Sequence, residues 1–372
     1  MAIIRPMEKL SESAILNALS HYDFGTEKPA YRPLGSGQIN DTLLIQGKEK
    51  RYLLQRINTF VFKDPNGLMD NIARVTAHIK KKVEARHGDV SREILTVFPA
   101  IDGALYYQDE DGNAFRALCF IEGASTYDAV KDPALFYEAG KAFGRFQSDL
   151  SDFPAESLVE TIPHFHDTPA RYQAFLKAME EDKAGRKASI LPFLEELIAH
   201  KEIAERLADL VKQGKMPLRV THNDTKLNNV MIDDATHQGL APIDLDTVMP
   251  GLAAFDFGDA VRYGANTAAE DEPDITKGGV NIPLFHAFAK GFVEGTDGRL
   301  TDIEMDHLVD GAETMAYELC LRFIADYLDG DLYFKTTHPE HNLERAKCQF
   351  ALYQAFVKEE EALRLAIKEM RK

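Results

Sequence analysis

VTHNDTKLNNVMIDDATHQGLAPIDLDT, residues 220–247, sets out polar groups in a fixed order between apolar runs. His222 and Asp224 precede Asn229. A short apolar run follows, the chain turns at Gly239, and a second apolar run closes on Ile243-Asp244-Leu245-Asp246. That layout suits metal-assisted phosphoryl transfer, in which a protein positions groups and neutralises charge rather than making bonds itself. Asp224 is placed to accept a hydroxyl proton, Asn229 to offer an amide oxygen to a metal ion, and Asp244 to supply an anionic ligand for magnesium. The competing reading is a polar hairpin between two buried strands, because Asp and Asn are common turn residues. The order H-x-D-x4-N, followed by an Asp at the end of an apolar strand and by Asp256 further on, favours the chemical reading.

On the N-terminal side, residues 11–22 carry apolar positions at helical spacing, with Ser11 or Ser13 as the cap. Strand-like alternation at 31–34 runs into GSGQINDT, residues 35–42, and a second strand follows at 43–45. Glycine there lets backbone N–H groups close on a phosphate, although a plain hairpin turn uses the same residues. A third strand, 51–58, has Gln55-Arg56 near the point where protein kinases hold phosphates with a lysine. Which of the two faces the nucleotide depends on strand register. Residues 66–86 spell a helix ending near Lys80-Lys81-Lys82, a solvated basic end that suits the negative pole of the helix dipole. Two or three strands are expected over 95–120, and ALCFIEG, residues 117–123, leaves the last of them for a polar loop. In a two-lobed kinase such an exit offers backbone groups to adenine.

Composition narrows the options. A chain of 372 residues suggests two lobes or domains, and 45% hydrophobic with 28% charged residues is ordinary for a globular protein. A net charge of -17 argues against nucleic-acid and anionic-membrane partners, which need basic patches. Cys119, Cys320 and Cys348 have no paired spacing and read as buried apolar residues of a reducing compartment. Without a secretory signal or a long apolar span, a cytoplasmic location is expected. From residue 132 the periodicity turns helical, clearly so over 133–150 and 190–211. Between these, TIPHFHDTP at 161–169 holds two histidines and an aspartate but lacks the further ligands of a metal cluster. The chain after 256 is mostly helix, broken at Gly278-Gly279 and at Asp329-Gly330-Asp331. Strands first and helices later give an α+β protein with a β-rich lobe and a helical lobe.

With these residues in hand, the chain resembles the aminoglycoside phosphotransferase and choline kinase superfamily, which shares the two-lobed protein kinase fold. Within it the chain looks most similar to the N-acetylhexosamine 1-kinases. The resemblance runs along nearly the whole chain. It is carried by GSGQINDT (35–42), IPHFHDTP (162–169), THNDTKLNN (221–229), IDLDTVMPG (243–251), FDFGDAVRYGA (255–265), LRFIADYLDGDLYF (321–334) and HPEHNL (338–343). It implies a small β-rich N-lobe over residues 1–121, an antiparallel sheet plus helix that binds nucleotide. Residues 122–372 would form a large, mainly helical C-lobe with the catalytic loop and the sugar site.

The implied activity is a kinase using ATP and Mg2+ to phosphorylate the anomeric (C1) hydroxyl of an N-acetylhexosamine (GlcNAc or GalNAc) by in-line transfer. Asp224 would be the catalytic base, and Asn229 and Asp244 the magnesium ligands. Gly35, Ser36, Gly37, Asn40, Thr42, Arg56, Cys119 and Ile121 would contact the nucleotide. Thr247, Arg322 and Tyr333 would contact the sugar, while His222 and Asp256 would support the loop. The chain departs from the kinase pattern in having no lysine at the third-strand phosphate position. A same-fold kinase for another small acceptor (a hexose, amino alcohol or aminoglycoside) stays open, because acceptor identity is not encoded in the catalytic motifs. An inactive kinase-like binding protein is the other alternative, disfavoured by the presence of Asp224, Asn229 and Asp244 together.

Overall fold

Local chemistry marks where the helices begin. Ser11 caps the first by accepting the N–H of Ala14 at 3.1 Å, and four others open on an Asp or Asn cap with a proline in the first turn. The computed structural model describes residues 10–34, 39–130, 132–270 and 272–371. In chain order the elements are α1 (Glu12–Ser20), β1 (Ala30–Pro33), β2 (Asp41–Gln46), β3 (Arg51–Ile57), α2 (Pro65–Ala85), β4 (Val97–Phe98), β5 (Tyr107–Gln108), β6 (Ala114–Cys119) and β7 (Ala124–Ser125). Then come α3 (Pro133–Asp149), α4 (Thr168–Glu181), α5 (Leu191–Ala199), α6 (Lys201–Lys212), β8 (Arg219–Thr221), β9 (Val230–Asp233), β10 (Gly239–Pro242) and β11 (Met249–Gly251). The chain closes with α7 (Ala253–Gly264), α8 (Ile282–Gly295), α9 (Asp302–Asp306), α10 (Leu308–Asp329) and α11 (His341–Met370).

The first six strands form one antiparallel sheet in which β1, β2, β3 and β6 lie side by side, with β4 and β5 both paired to β6. Its outer face packs Leu43, Ile45, Leu54, Phe115 and Ala117 against Ala18, Leu19 and Tyr22. Its inner face packs Ile57, Ala114 and Leu118 against Leu68, Ile72, Val75 and Ile79 of α2, and that cluster continues into Val220, Leu245 and Val248. Each such aliphatic side chain contributes roughly 2 kcal/mol on burial. The inner face is therefore held over the segment that carries His222, Asp224 and Asp244. This is a kinase-like fold, with a β-sheet lobe ahead of a helical lobe.

One expectation is corrected. The hairpin turn lies at 234–238, where Asp233 accepts the N–H groups of Ala235 and Thr236 and His237 adopts φ 60°. Gly239 opens β10 instead, and glycine is needed because a Cβ there would fall 2.4 Å from the Glu138 carbonyl oxygen on α3. The helical pattern of 190–211 is carried by two helices, α5 and α6, because His200 leaves helical geometry to meet Tyr353 and Phe350 of α11. Close packing also sets α7 against α10, since a Cβ at Gly311 would lie 1.9 Å from the Ala254 carbonyl oxygen. Cys320 and Cys348 are buried, Cys119 is half-buried, and all three are free thiols. No helix of the described residues is long and apolar enough to cross a membrane.

Candidate active site

Asp256, in the first turn of α7 and 1% exposed, organises the loop after β8. Its Oδ2 accepts the His222 N–H at 3.0 Å and the Gln147 side-chain amide at 2.7 Å, and its Oδ1 accepts the Asn223 N–H at 2.8 Å. Its carbonyl accepts the Thr225 hydroxyl at 2.6 Å. Burial pushes the Asp256 carboxyl up, while the N–H groups of His222 and Asn223 and the Gln147 amide pull it back. Asn223 adopts φ 64°, a left-handed conformation that asparagine tolerates, and donates to the Thr247 carbonyl at 2.8 Å. The His222 ring stands edge-on to Phe143 and lies 2.8 Å through Nε2 from the Ile243 carbonyl. That nitrogen carries the proton, so Nδ1 accepts the Asp224 N–H at 3.3 Å.

These contacts present Asp224, whose side chain is 28% exposed. Its Oδ2 accepts the Asn229 amide N–H at 2.9 Å, and the same nitrogen donates to the Asp224 carbonyl at 2.8 Å. With its nitrogen so used, Asn229 keeps its amide oxygen for a cation. The other Asp224 oxygen lies 2.7 Å from Lys226 Nζ. Burial works against the Lys226 charge, but Asp224 and Asp259 outweigh it and raise its pKa. Sequence reasoning passed over Lys226, although a lysine two residues past the aspartate was the available signal.

Asp244 follows β10 in a left-handed conformation, φ 59° and ψ 58°, a strained choice for a non-glycine residue. Its carboxyl is pushed up to about 7 by enclosure within the protein and by the neighbouring carboxylates of Asp246 and Asp224. The side chain still reaches water, which leaves it accessible to a cation. A group of carboxylates this crowded fits a divalent cation. Among the described residues no cluster of three or more His, Cys, Asp or Glu forms a metal cage. Magnesium held largely by phosphate and water needs only one or two protein carboxylates.

On the sheet, register decides which side chains face this site. Thr42, Gln55 and Arg116 are cross-strand partners and share the inner face. Gln55 donates to the Thr42 hydroxyl at 3.0 Å and accepts from Arg116 Nε at 2.9 Å. Asn40 donates to Asp246 at 2.6 Å and accepts the Asn58 N–H at 2.9 Å. Arg56 has the opposite parity. It shares the outer face with Leu54, paired with Asp41 and 3.3 Å from Asn113 Oδ1, which corrects the nucleotide contact expected of it. Gly35, Ser36 and Gly37 lie outside the described residues. Cys119 ends β6 with its N–H on the Thr96 carbonyl at 2.9 Å, and Ile121 packs with Met231 and Ala241 in a small apolar cluster.

The remaining candidates gather around α10. Glu318, Arg322 and Asp326, spaced by four, share one face of that helix. Asp326 accepts the N–H groups of Leu332, Tyr333 and Phe334 at 2.7–2.9 Å, which folds the following loop back so that Tyr333 Oη lies 3.4 Å from Arg322. The Arg322 guanidinium stands 5.6–5.9 Å from the ring centres of Phe165, Tyr333 and Phe334. Its Nε, and that of Arg171 beside it, are buried without a hydrogen-bond partner among the described residues. The two histidines of 161–169 diverge. His164 pairs with Asp167, the α4 cap, whereas His166 bridges Glu318 at 2.9 Å and the Asn223 carbonyl at 3.2 Å. Burial opposes ionisation of Glu318, but His166 and the Thr168 hydroxyl hold its pKa down. Thr247 is 7% exposed and donates its hydroxyl to the His222 carbonyl at 2.7 Å, so it braces the loop after β8.

Known structures share this arrangement of lobes. A microcompartment-associated aminopropanol kinase superposes with a TM-score of 0.58 at 16% identity, covering 95% of this chain and 99% of that one. A spectinomycin phosphotransferase, solved with ADP and spectinomycin, gives 0.58 at 14% identity over 95% and 100%. A choline/ethanolamine kinase family protein from Mesorhizobium loti gives 0.57 at 14% identity over 96% and 99%. At such identities the likeness concerns the fold. The sequence itself matches the model of the phosphotransferase enzyme family over residues 30–282, a span that holds the sheet, the 220–247 hairpin and Asp256 but ends before α10. The chain belongs to the phosphotransferase enzyme family.

Proposed function

We propose that this phosphotransferase is an ATP- and magnesium-dependent sugar kinase that phosphorylates the anomeric hydroxyl of an N-acetylhexosamine. In this reading residues 1–121 hold the nucleotide and residues 122–372 hold the catalytic loop and the sugar. What supports it is the meeting of Asp224, Asn229 and Asp244 near a loop that His166 ties to Glu318 of α10, one turn from Arg322, whose Nε is buried and unpaired. Asp224, held by Asn229 and Lys226, orients the acceptor hydroxyl and takes its proton as the bond to phosphorus forms. Asn229 and Asp244 would hold magnesium, which supplies charge neutralisation on the phosphates. Arg322 and Tyr333 offer donors to ring hydroxyls and to an acetamido oxygen. Two guanidiniums side by side disfavour a cationic acceptor, which would call for carboxylates or an aromatic cage.

The solved relatives named for aminopropanol, spectinomycin and choline or ethanolamine define the competing acceptors. Purified protein with ATP, magnesium and a panel of N-acetylhexosamines, hexoses, amino alcohols and aminoglycosides separates them, with phosphorus NMR identifying the phosphorylated oxygen. Phosphate on the anomeric oxygen of an N-acetylhexosamine is the expected result. Phosphate on an amino alcohol or on another sugar hydroxyl would overturn the acceptor assignment and leave the kinase class in place.

A further inference from the structure

We propose that Arg116 is the sheet's phosphate-binding cation, taking the part that the missing third-strand lysine would play, and that Asp246 holds its place until a nucleotide arrives. The inference rests on the kinase reading above. Arg116 belongs to β6, not β3, and the pairing of Gln55 with Arg116 sets it one strand across from the position where the sequence lacks a lysine. It is 2% exposed, yet it is not locked into the sheet's own core. Its Nε is oriented by Gln55 at 2.9 Å, and its Nη1 crosses to Asp246 Oδ1 at 2.5 Å, two residues beyond Asp244.

Other cations on the inner face are poorly placed. Arg51, at the opposite end of β3, is taken by Glu122, and Arg32 lies on the edge strand. A buried Arg–Asp pair is a poor source of net stability, because desolvation offsets most of its attraction. As a preformed and correctly aimed guanidinium, however, it lowers the cost of capturing a polyphosphate, whose oxygens match the same fork. Asn40 also holds Asp246, so the carboxylate keeps a donor when Arg116 moves to phosphate.

Calorimetric titration with ATP, ADP and adenosine, with and without magnesium, tests this on the intact chain. Arg116→Met is expected to weaken ATP binding by about 10–100-fold while adenosine binding stays within about twofold, the loss expected for a charged hydrogen bond to phosphate. Arg116→Lys should recover part of the loss, since a point charge replaces the fork. Thermal melts of each variant check folding. As a second arm that keeps Arg116, Asp246→Asn should strengthen metal-free ATP binding several-fold by removing the competing carboxylate. Equal weakening of ATP and adenosine in Arg116→Met, no weakening of either, or unchanged metal-free binding in Asp246→Asn would make the pair a lobe-bridging contact only. A wild-type protein that binds no adenine nucleotide would instead bring down the ATP reading on which the inference rests.

Discussion

Asp256 and Arg322 stand at the centres of two polar networks joined through His166, and the networks differ in what they leave over. Around Asp256, the N–H groups of His222 and Asn223, the Gln147 side-chain N–H and the Thr225 hydroxyl all find partners, and the one atom left over is an acceptor, Gln147 Oε1. Around Arg322, two buried guanidinium nitrogens, its own Nε and that of Arg171, have none among the described residues. Buried polar groups are nearly always paired, so leftover donors on two neighbouring arginines stand out as groups that a ligand's acceptors would satisfy. In the proposed function the first network fixes geometry for chemistry that must be ready in advance, and the second takes the acceptor.

Substitutions can break that contrast. The largest effect is expected at Asp224→Asn, with turnover falling by about a thousandfold while the melting temperature holds, since a carboxylate base is lost within an intact loop. Steady-state kinetics with most of the turnover retained would remove Asp224 as the base. Arg322→Met should raise the acceptor KM by about 10–100-fold with nucleotide affinity unchanged, the cost of charged hydrogen bonds made only to the acceptor. A parallel loss of nucleotide affinity, read by calorimetry, would show that the wall is not acceptor-specific. Asn229→Ala should raise the magnesium concentration needed for half-maximal rate by about tenfold, an effect of the size expected at metal-site positions. An unchanged magnesium titration would reassign Asn229 to bracing Asp224.

The smallest effect sharpens the comparison with a control on the same helix. Glu313 of α10 also leaves one buried oxygen unpaired, yet it faces Arg206 rather than the Arg322 wall. Burial pushes its carboxyl from 4.5 to about 7, against the pull of Arg206. A folded-state value above the unfolded one means that its contribution is present at low pH and is lost as pH rises through about 4.5 to 7. Glu313→Gln should therefore flatten the fall in melting temperature across that window, by about 1–3 °C, and leave acceptor KM alone. A melting profile as steep as the wild type's would assign the slope to other groups.

Legibility followed sequence distance. Asp224, Asn229, Asp244 and Asp256 fall within 33 consecutive residues, so their order alone pointed to one site. Helix starts were readable because Asp and Asn caps followed by proline act within a single turn. Lys226 was within reach of the same reasoning, since its partner is two residues away. Arg116 was not: its partners, Gln55 and Asp246, lie 61 and 130 residues distant. The His166–Glu318 link, 152 residues apart, was equally silent.

By itself, then, the sequence determined the order of lobes and the hairpin's run of polar groups, because both depend on periodicity and on neighbours within a few residues. Tertiary structure alone decided which face of β3 looks inward, so that Gln55 orients Arg116 and Arg116, rather than Arg56, meets Asp246. Side chains on a strand alternate with a period of two, and only the pairing of strands and the cover of α1 and α2 settle which set is turned toward the site.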